Sequence, residues 1–457
     1  MDGMHNERPL SQFPSQGDCA HSFIVTIGGI GARSQCSWQP VSCRAMTRHG
    51  TVASFHAGTD VSMRMLIAAL ILPLLAVWLW WPVAASRPAQ RWRRVLATLA
   101  LALALPTVML LWQADVLAYA TISRLQVAAG GVLLTGLLLL VFAILRDLGF
   151  GLHALAERVL RRAPGSGLRR WHAPWLTFSA VAVAGMLSLL GLYNGLKVPP
   201  VVERELPVAG LPAQWDGLRV AVLTDLHITP AKGRGRTEAI VARTLAAAPD
   251  LIVLPGDMVD GAVSDSADMV APLAALRAPL GVWVAPGNHE VYFGYRQWMD
   301  YLQSLGLNLL ENGSTLIERD GAVLALSGLG DLAAENGRGR QEGAVPPDLA
   351  ATLAGTEPAD FHLMLVHQPK LARRVAATGR VDLQISGHTH GGHLTGFDRW
   401  VVAPANDGFV RGRYDVGPMA LYVATGAGQW DGFTARLGVP SAIDVLVLRT
   451  ARAAGGQ

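Results

Sequence analysis

Five short apolar runs in the C-terminal half of the chain are each followed at once by polar side chains. The runs are four to six residues long, as buried strands are, and helical stretches lie between them. In a sheet built from such units, ligands bind beyond the carboxyl ends of the strands. The pattern therefore predicts an α/β fold whose strand ends deliver polar groups to one edge. The runs are Leu218–Leu223, Leu251–Leu254, Val282–Ala285, Phe361–Val366 and Val381–Ile385.

The side chains that follow the five runs are carboxylates, imidazoles and one carboxamide, all of which can bind metal ions. Any one of them alone is a weak signal, because Gly-Asp turns are common and a single histidine is usually structural. Five motifs in succession, each at a strand end, are hard to obtain by chance. In chain order the candidates are Asp225, His227, Asp257, Asp260, Asn288, His289, His367, His388 and His390.

His388 and His390 lie two residues apart in Gly387-His388-Thr389-His390-Gly391-Gly392. Side chains at positions i and i+2 of an extended segment point the same way. This spacing predicts that both imidazoles face one point just beyond the sheet. The alternative is a turn that happens to contain two histidines, and the motifs upstream favour the metal site.

The chemistry of these side chains suits a pair of divalent metal ions. Mixed imidazole and carboxylate ligands favour Mn, Fe, Zn, Co or Ni over Ca or Mg. Seven ligands drawn from these nine candidates are more than the four that one tetrahedral ion takes, but they suit two ions. Two ions ~3.5–4 Å apart can clamp the attacking and leaving oxygens of a phosphoryl transfer. The last cysteine is Cys43, so no thiolate takes part.

The five motifs resemble D-x-H, G-D, G-N-H-E/D, a single histidine and G-H-x-H of the calcineurin-like metallophosphoesterase superfamily. The resemblance covers about residues 205–450, and Gly-His-Thr-His-Gly-Gly with Arg436-Leu437-Gly438 resembles a bacterial, membrane-anchored subgroup. It implies a sandwich of mixed sheets flanked by helices. It also implies hydrolysis of phosphate ester or pyrophosphate bonds by a hydroxide bound to two divalent metals.

The same resemblance implies a role for each candidate residue. One metal would be bound by Asp225, His227 and His390, and the other by Asn288, His367 and His388, with Asp257 bridging them. His289 would contact the phosphate and would not bind metal. Asp260 stays open between capping and orienting a ligand. His393 stands where the subgroup commonly has glutamine, and no tyrosine adjoins the Gly-Asp block, unlike in purple acid phosphatases.

Four apolar segments precede this domain, and 51% of all residues are hydrophobic against 16% charged. Each segment is close to the ~20 residues that cross a ~30 Å hydrocarbon core as a helix. Tryptophans cluster at the segment ends, as interfacial aromatics do. A buried bundle in a soluble protein is the alternative, which four such runs in succession disfavour. The predicted transmembrane segments are Met65–Val83, Val95–Trp112, Ala128–Leu145 and Trp175–Leu192.

Arginines flank these segments unevenly. The loops after the first and third segments are rich in arginine, whereas the loop after the second contains only Arg124, against Asp115. The positive-inside rule then places the C-terminal half outside the cytoplasm, in a multi-pass protein of the inner (plasma) membrane. Arg64 argues the other way. Because the basic excess flanks apolar segments, no nucleic-acid surface is expected.

The predicted organisation is an irregular tail (1–62), a four-helix transmembrane region (63–196) and a metallophosphoesterase domain (203–450). The tail suggests disorder or a true start at Met63 or Met65. The expected substrate is a phosphate ester, with phospholipids, nucleotide-linked lipids, nucleotides, cyclic nucleotides and phosphoproteins all open. One alternative is a non-catalytic metal-binding membrane sensor or scaffold. A regulated transporter is disfavoured, because the segments contain almost no ionisable residue.

Overall fold

The computed structural model describes residues 74–81, 88–161, 170–337, 339 and 343–451. The predicted tail (1–62) lies outside these residues, as does most of the first predicted membrane segment, Met65–Val83. Within that segment residues 74–80 are helical.

Twelve strands in the described residues form two six-stranded mixed sheets. Numbered along the chain, they are β1 (Val201–Val208), β2 (Arg219–Val222), β3 (Leu251–Pro255), β4 (Val282–Ala285), β5 (Asn308–Leu309), β6 (Gly313–Arg319), β7 (Ala322–Gly328), β8 (Phe361–Leu365), β9 (Leu383–Ser386), β10 (Gly412–Val416), β11 (Met419–Val423) and β12 (Ile443–Thr450).

The first sheet has the order β1-β12-β2-β3-β4-β5, and the second has the order β10-β11-β9-β8-β7-β6. Strands β2 to β5 are parallel neighbours, as are β7, β8, β9 and β11. Parallel strands end at a common edge, so the five polar motifs follow β2, β3, β4, β8 and β9 onto that edge. The predicted α/β sandwich of mixed sheets is confirmed.

One apolar core lies between the two sheets. It contains Val220 and Val253 from the first sheet and Leu363 and Ile385 from the second, all fully buried. Further apolar clusters cover the outer faces, where helices pack. Because both faces of the central strands are buried, their sequences are nearly continuous apolar runs, which made them recognisable.

Helices cover both outer faces of the sandwich and form the N-terminal region. With both bounds in the described residues, they are α1 (Pro88–Ala102), α2 (Ala104–Gln113), α3 (Tyr119–Val159), α4 (Pro174–Leu196), α5 (Arg234–Ala246), α6 (Val263–Val270), α7 (Asn288–Tyr292), α8 (Tyr295–Ser304), α9 (Leu349–Leu353), α10 (Ala372–Ala376) and α11 (Ala403–Ala405).

Strands β1, β5 and β10, each at an edge of its sheet, were not predicted. β1 carries Glu203, Arg204 and Glu205, which break the apolar pattern, and it is an edge strand paired in parallel with β12. β10 is also an edge strand, and it pairs in the antiparallel direction with β11. Edge strands need bury only one face, so their sequences give a weaker signal.

Three helical segments of the described residues, rather than the predicted four, are long and apolar enough to cross a membrane. They are Pro88–Gln113, Tyr119–Val159 and Pro174–Leu196, of 26, 41 and 23 residues. The first contains α1 and α2, and the others are α3 and α4. Helix α3 continues beyond its apolar part, through Arg146, and ends at Val159.

The membrane helices α3 and α4 pack against one segment of the two-sheet domain, residues 431–437. On α3, Ser123 Oγ donates to Asp431 Oδ2 at 2.5 Å. On α4, the carbonyl of Gly191 accepts a hydrogen bond from the backbone of Arg436 at 3.0 Å. The N-terminal part of α3 and the C-terminal part of α4 therefore lie on the domain side.

Candidate metal centre

The five strand-end motifs converge at one edge of the sandwich. Three overlapping groups of side chains have ligand atoms within 4.8 Å of one another. Every residue that the sequence predicted as a metal ligand lies in these groups or, for Asn288, is hydrogen-bonded to them. The groups are Asp225, His227 and His390; His227, Asp257 and His289; and Asp257, His367 and His388.

On one side of the centre, His227 and His390 lie beside Asp225. Their Nε2 atoms are 3.1 Å apart, and His390 Nε2 is 3.6 Å from Asp225 Oδ1. For metal–nitrogen bonds of ~2.0–2.1 Å, neighbouring ligand atoms around one ion are about 3.0–3.4 Å apart. The close approach of two imidazole nitrogens is thus the spacing expected of ligands that share an ion.

On the other side, His367 and His388 both approach the carboxamide oxygen of Asn288. His367 Nε2 is 3.1 Å and His388 Nδ1 is 2.9 Å from Asn288 Oδ1. These separations again match neighbouring ligands around one ion. The sequence assignment had put these three residues on one metal, and the structure brings them together.

Asp257 lies between the two sides. Its Oδ2 is 3.1 Å from His367 Nε2 and 3.7 Å from His227 Nε2. Its other oxygen accepts a hydrogen bond from the backbone of His289 at 2.9 Å. One oxygen of Asp257 therefore lies close to a histidine nitrogen from each of the two ligand groups.

The backbone at the centre is unusual, because five of the seven predicted ligands have positive φ. The values are 54° for Asp225, 42° for His227, 58° for Asp257, 72° for His388 and 49° for His390. Side chains other than glycine rarely adopt this left-handed region, and such residues concentrate at functional sites.

This conformation corrects the expectation for the two histidines after β9. His388 and His390 are not in an extended segment, because both have left-handed φ. His388 approaches Asn288, whereas His390 approaches His227. They face different sides of the centre, and the i, i+2 rule for strands fails because the strand ends at Ser386.

Glycines let the loops approach closely. A Cβ atom added to Gly387 would lie 2.1 Å from Thr224 Oγ1 and 2.5 Å from Asp225 Oδ2. Both distances are far below van der Waals contact, so only glycine fits between Asp225 and the loop after β9. The backbone of His388 donates to both oxygens of Asp225, at 2.9 and 3.1 Å.

Two histidines are oriented by hydrogen-bond acceptors. Each acceptor contacts the ring nitrogen that faces away from the centre. His367 Nδ1 lies 2.8 Å from the carbonyl of Pro255, and His227 Nδ1 lies 3.0 Å from Asp260 Oδ1. A carbonyl or carboxylate only accepts, so each Nδ1 carries the hydrogen and each Nε2 is left to bind metal. Asp260, whose role was left open, thus positions His227.

Asp260 also contacts His289, the predicted non-ligand. Its Oδ1 lies 2.5 Å from His289 Nδ1, while His289 Nε2 is 3.9 Å from Asp257 Oδ2. Burial lowers the pKa of His289, but the charges of Asp257 and Asp260 outweigh it and raise this pKa to about 9. The side chain is 14% exposed, which leaves it accessible beside the buried ligands.

Glu290 and Arg436 support the centre without reaching it, and neither was predicted to do so. The buried Glu290 accepts hydrogen bonds from the backbones of Gly287, Asp257 and Met258 at 2.8, 3.0 and 2.7 Å. Arg436, also buried, donates to the carbonyl of His390 at 2.8 Å. Their only sequence signal was their place in the resemblance, as the last residue of Gly-Asn-His-Glu and the first of Arg-Leu-Gly.

His393, where the related subgroup commonly has glutamine, lies behind the centre. Its ring packs on His390 with centroids 4.7 Å apart and on Phe433 with centroids 5.0 Å apart. Burial and the neighbouring charge of Arg436 lower the pKa of His393 to about 3. The side chain is therefore neutral and supports the His390 ring.

A two-sheet α/β sandwich that gathers four histidines, two aspartates and one asparagine at one edge is a metal-binding fold of the α/β class. The donor types and spacings fit divalent metal ions. A model of the calcineurin-like phosphoesterase family matches residues 218–392, which contain all seven of these residues. Together with the relatives described next, this match shows that the chain belongs to the calcineurin-like phosphoesterase family.

Curated relatives support this assignment. A transmembrane protein with a metallophosphoesterase domain from Danio rerio is 32% identical over 60% of this chain and 63% of its own length. An uncharacterized metallophosphoesterase of Campylobacter jejuni is 30% identical over 59% of this chain and 69% of its own. The chain thus spans less than two thirds of the Danio rerio protein. The relatives and the apolar helices associate the protein with a membrane.

A solved structure of a dimetal phosphatase from Danio rerio aligns with 46% of this chain and 88% of its own. It is 14% identical, with a TM-score of 0.30, and this low score carries no conclusion about function.

Proposed function

We propose that the protein is a membrane-anchored phosphoesterase that uses two divalent metal ions. The observation that carries the proposal is the pair of ligand groups on either side of Asp257, each with donor atoms about 3 Å apart. Asp225, His227 and His390 would hold one ion, Asn288, His367 and His388 the other, and Asp257 both. Bound ions of this kind supply a hydroxide near neutral pH and neutralise charge on a phosphate.

His289 is proposed to act on the phosphate itself. Hydrolysis forms a bond from phosphorus to a water oxygen, breaks the bond to the ester oxygen, and leaves a proton on the departing alcohol. A protonated His289 can donate that proton or stabilise the developing negative charge. Its hydrogen bond to Asp260 at Nδ1 leaves Nε2 as the nitrogen that faces the centre.

The proposed substrate class is a phosphate ester or pyrophosphate that is presented at a membrane surface, with a phospholipid or nucleotide-linked lipid as the leading candidate. The support is the short path from a membrane helix to the ligands. Ser123 on α3 contacts Asp431, and Lys232 donates to both Asp431 Oδ1 (2.5 Å) and the carbonyl of His227 (2.9 Å). Three residues therefore connect the membrane region to a predicted metal ligand.

The test is hydrolysis of bis-p-nitrophenyl phosphate by the purified full-length protein with Mn²⁺. Turnover should disappear with a chelator and return when metal is added back. Asp257→Asn should lose bound metal and at least ~10³-fold in rate, because a metal clamp contributes several kcal/mol.

A matched control is Asp320→Asn. Asp320 also has positive φ, 50° against 58° for Asp257, but it lies exposed in the turn between β6 and β7. It should keep full activity. Full turnover in Asp257→Asn would refute the site, whereas metal binding without turnover in the wild type would favour a non-catalytic sensor or scaffold.

A further inference from the structure

Residues 394–410, here called the Trp400 segment, leave the metal-ligand loop directly after His393 and return to it. Thr389 Oγ1 donates to the carbonyl of Val410 at 2.6 Å, and Arg411 donates to the carbonyl of Gly391 at 2.6 Å. A Cβ atom on Gly392 would lie 2.3 Å from the Cβ of Asp398. The base of the segment is therefore packed tightly on the loop that carries His388 and His390.

The far end of the segment exposes two neighbouring apolar side chains in a short π-helical turn. Trp400 is 76% exposed and Val401 is 48% exposed. Trp400 is the most exposed large hydrophobic residue in the described part of the chain. Its exposed fraction is greater than that of the residues on α3 and α4 that could face lipid. Within the described residues from 201 onward, the exposed large hydrophobics are Val201, Tyr292, Leu316, Trp400 and Val401.

The Trp400 segment lies against the same part of the domain that contacts the membrane helices. Leu394 forms β-bridges to Leu437 and Gly438. Leu437 in turn lies against Gly191 of α4, where a Cβ atom would meet its Cγ at 3.4 Å. The segment is thus one residue layer away from a helix that is long and apolar enough to span a membrane.

A second contact places the segment beside α3. The ring of Phe397 lies 6.3 Å from that of Phe433. The preceding residue, Gly432, packs against α3, since a Cβ atom on Gly130 would lie 2.9 Å from its carbonyl oxygen. The base of the Trp400 segment therefore lies beside the residues that contact both α3 and α4.

The composition of the turn suits the boundary between water and lipid. Tryptophan favours this boundary, because its ring is apolar and its N–H is polar. The guanidinium of Arg399 lies over the Trp400 ring, 5.5 Å from its centroid, where it can approach lipid phosphates. Asp398 is paired with Arg411 at 2.7 Å, so its negative charge is balanced.

We propose that Trp400 and Val401 insert into the interface of the lipid bilayer beside α4. This insertion holds the loop of His388 and His390 at the membrane surface, so that the metal centre receives phosphate esters from the headgroup layer. The substrate part rests on the proposed function, whereas the insertion itself does not.

The insertion is tested by fluorescence quenching of the full-length protein in phospholipid vesicles. The chain has 13 tryptophans, so the signal of Trp400 is the difference between wild type and Trp400→Phe. Lipids brominated on the upper acyl chain should quench that difference, and aqueous iodide should not. The fully buried Trp215, isolated through Trp215→Phe, provides the baseline that neither agent reaches.

Two results would overturn the insertion. Quenching by iodide and not by brominated lipid would place Trp400 in water. Quenching by neither agent would mean that protein covers the turn, such as a second copy of this chain.

The substrate part is tested with Trp400→Ser/Val401→Ser in vesicles that contain phosphatidic acid. Phosphate release should fall at least about tenfold, equivalent to about 1.4 kcal/mol, while turnover of soluble p-nitrophenyl phosphate, a monoester like phosphatidic acid, stays unchanged. Leu316→Ser is the matched control, because Leu316 is 43% exposed on β6, an outer strand of the second sheet, away from the segment.

The outcomes distinguish the insertion of Trp400 and Val401 from the proposed substrate. Equal loss on both substrates would overturn a membrane role for the turn. If the wild type hydrolyses the soluble ester but releases nothing from the vesicles, the substrate part is wrong, and quenching alone decides the insertion. If the wild type hydrolyses neither substrate, the proposed function is contradicted.

Discussion

His289 and Asp260 form a hydrogen-bonded pair beside the ligand groups. In this pair, His289 is proposed to act in catalysis and not to bind metal. Asp260 accepts from His289 and His227 with the same oxygen, Oδ1. The positive charge of both rings lowers the pKa of Asp260, against the raising effect of burial. An ionised Asp260 therefore accepts from both rings at Nδ1 and leaves each Nε2 on the side of the metal ligands.

Replacement of His289 by alanine should leave both metal ions bound and lower the rate about 10²–10³-fold, as loss of one group that stabilises transition-state charge does. The measurements are metal content by mass spectrometry and kcat on bis-p-nitrophenyl phosphate. Asp260→Asn is the companion variant. It should also weaken metal binding, by about 10–100-fold, because His227 loses its partner. Loss of metal in His289→Ala would contradict its role as a non-ligand.

Metal binding should release protons at pH 7. Burial lowers the pKa of His367, but the charge of Asp257 outweighs it and raises this pKa to about 10 in the metal-free protein. The ring is then protonated at pH 7, and an ion must displace that proton. Apparent affinity should rise with pH, by up to about tenfold per unit for each proton displaced.

Calorimetric titration with Mn²⁺ in two buffers of different ionisation enthalpy measures this release. The observed heat should differ between the buffers in proportion to the protons taken up. Equal heats in both buffers at pH 7 would show that the ligand imidazoles are already neutral.

At the scale of elements, α3 matters because it joins the membrane region to the metal-binding loops. Its N-terminal turns meet residues 431–433 through Ser123 and through the close approach of Gly130 to Gly432. Asp431 also accepts from Thr229 at 3.2 Å, two residues after His227. We therefore expect a displacement of α3 to reach His227 through these buried polar contacts.

Gly130→Ala should therefore lower thermal stability and hydrolysis together. The new Cβ would lie 2.9 Å from the carbonyl oxygen of Gly432, so helix or loop must shift. Overpacking of this kind costs about 1–3 kcal/mol. Gly136→Ala, on the same helix, is the matched control because nothing lies within 4 Å of its Cβ position. The melting temperature in detergent and the rate on a soluble ester are measured. Equal behaviour of the two variants would show that this contact does not matter.

At the scale of the whole molecule, the domain and Arg146 lie at opposite ends of the apolar part of α3. Arg146 donates to the carbonyls of Leu79 and Trp78 at 3.0 and 3.1 Å, whereas Ser123 contacts the domain. The 23 residues from Ser123 to Arg146 rise about 35 Å along a helix, close to the ~30 Å of a hydrocarbon core. We propose on this basis, with the positive-inside rule, that the catalytic domain is extracytoplasmic.

Fusion of alkaline phosphatase to the C-terminus should then give an active reporter, and fusion of a fluorescent protein that folds only in the cytoplasm should give none. The control is a pair of fusions after Arg161, at the opposite end of α3, which should show the reverse pattern. A C-terminal reporter that is active only in the cytoplasm would reverse the topology.

The local signals that predicted the fold were strong because central strands are buried on both faces. β4, at Val282–Ala285, was predicted to the residue, whereas the edge strands β1, β5 and β10 were missed. The ligand candidates were recognisable because each follows a strand end. The direction in which His388 and His390 point was predicted wrongly, because left-handed φ values are not evident from residue types.

The sequence by itself determined the α/β class, the convergence of five motifs on one edge and the apolar helices, because these depend on local periodicity and on the parallel direction of strands. Only the tertiary structure decided which histidines are neighbours, that Asp260 contacts both His227 and His289, and that the segment carrying Trp400 packs beside the residues that contact α3 and α4. Those relations join residues far apart along the chain, such as His227 and His390 at 163 positions, and no local pattern specifies contacts across such distances.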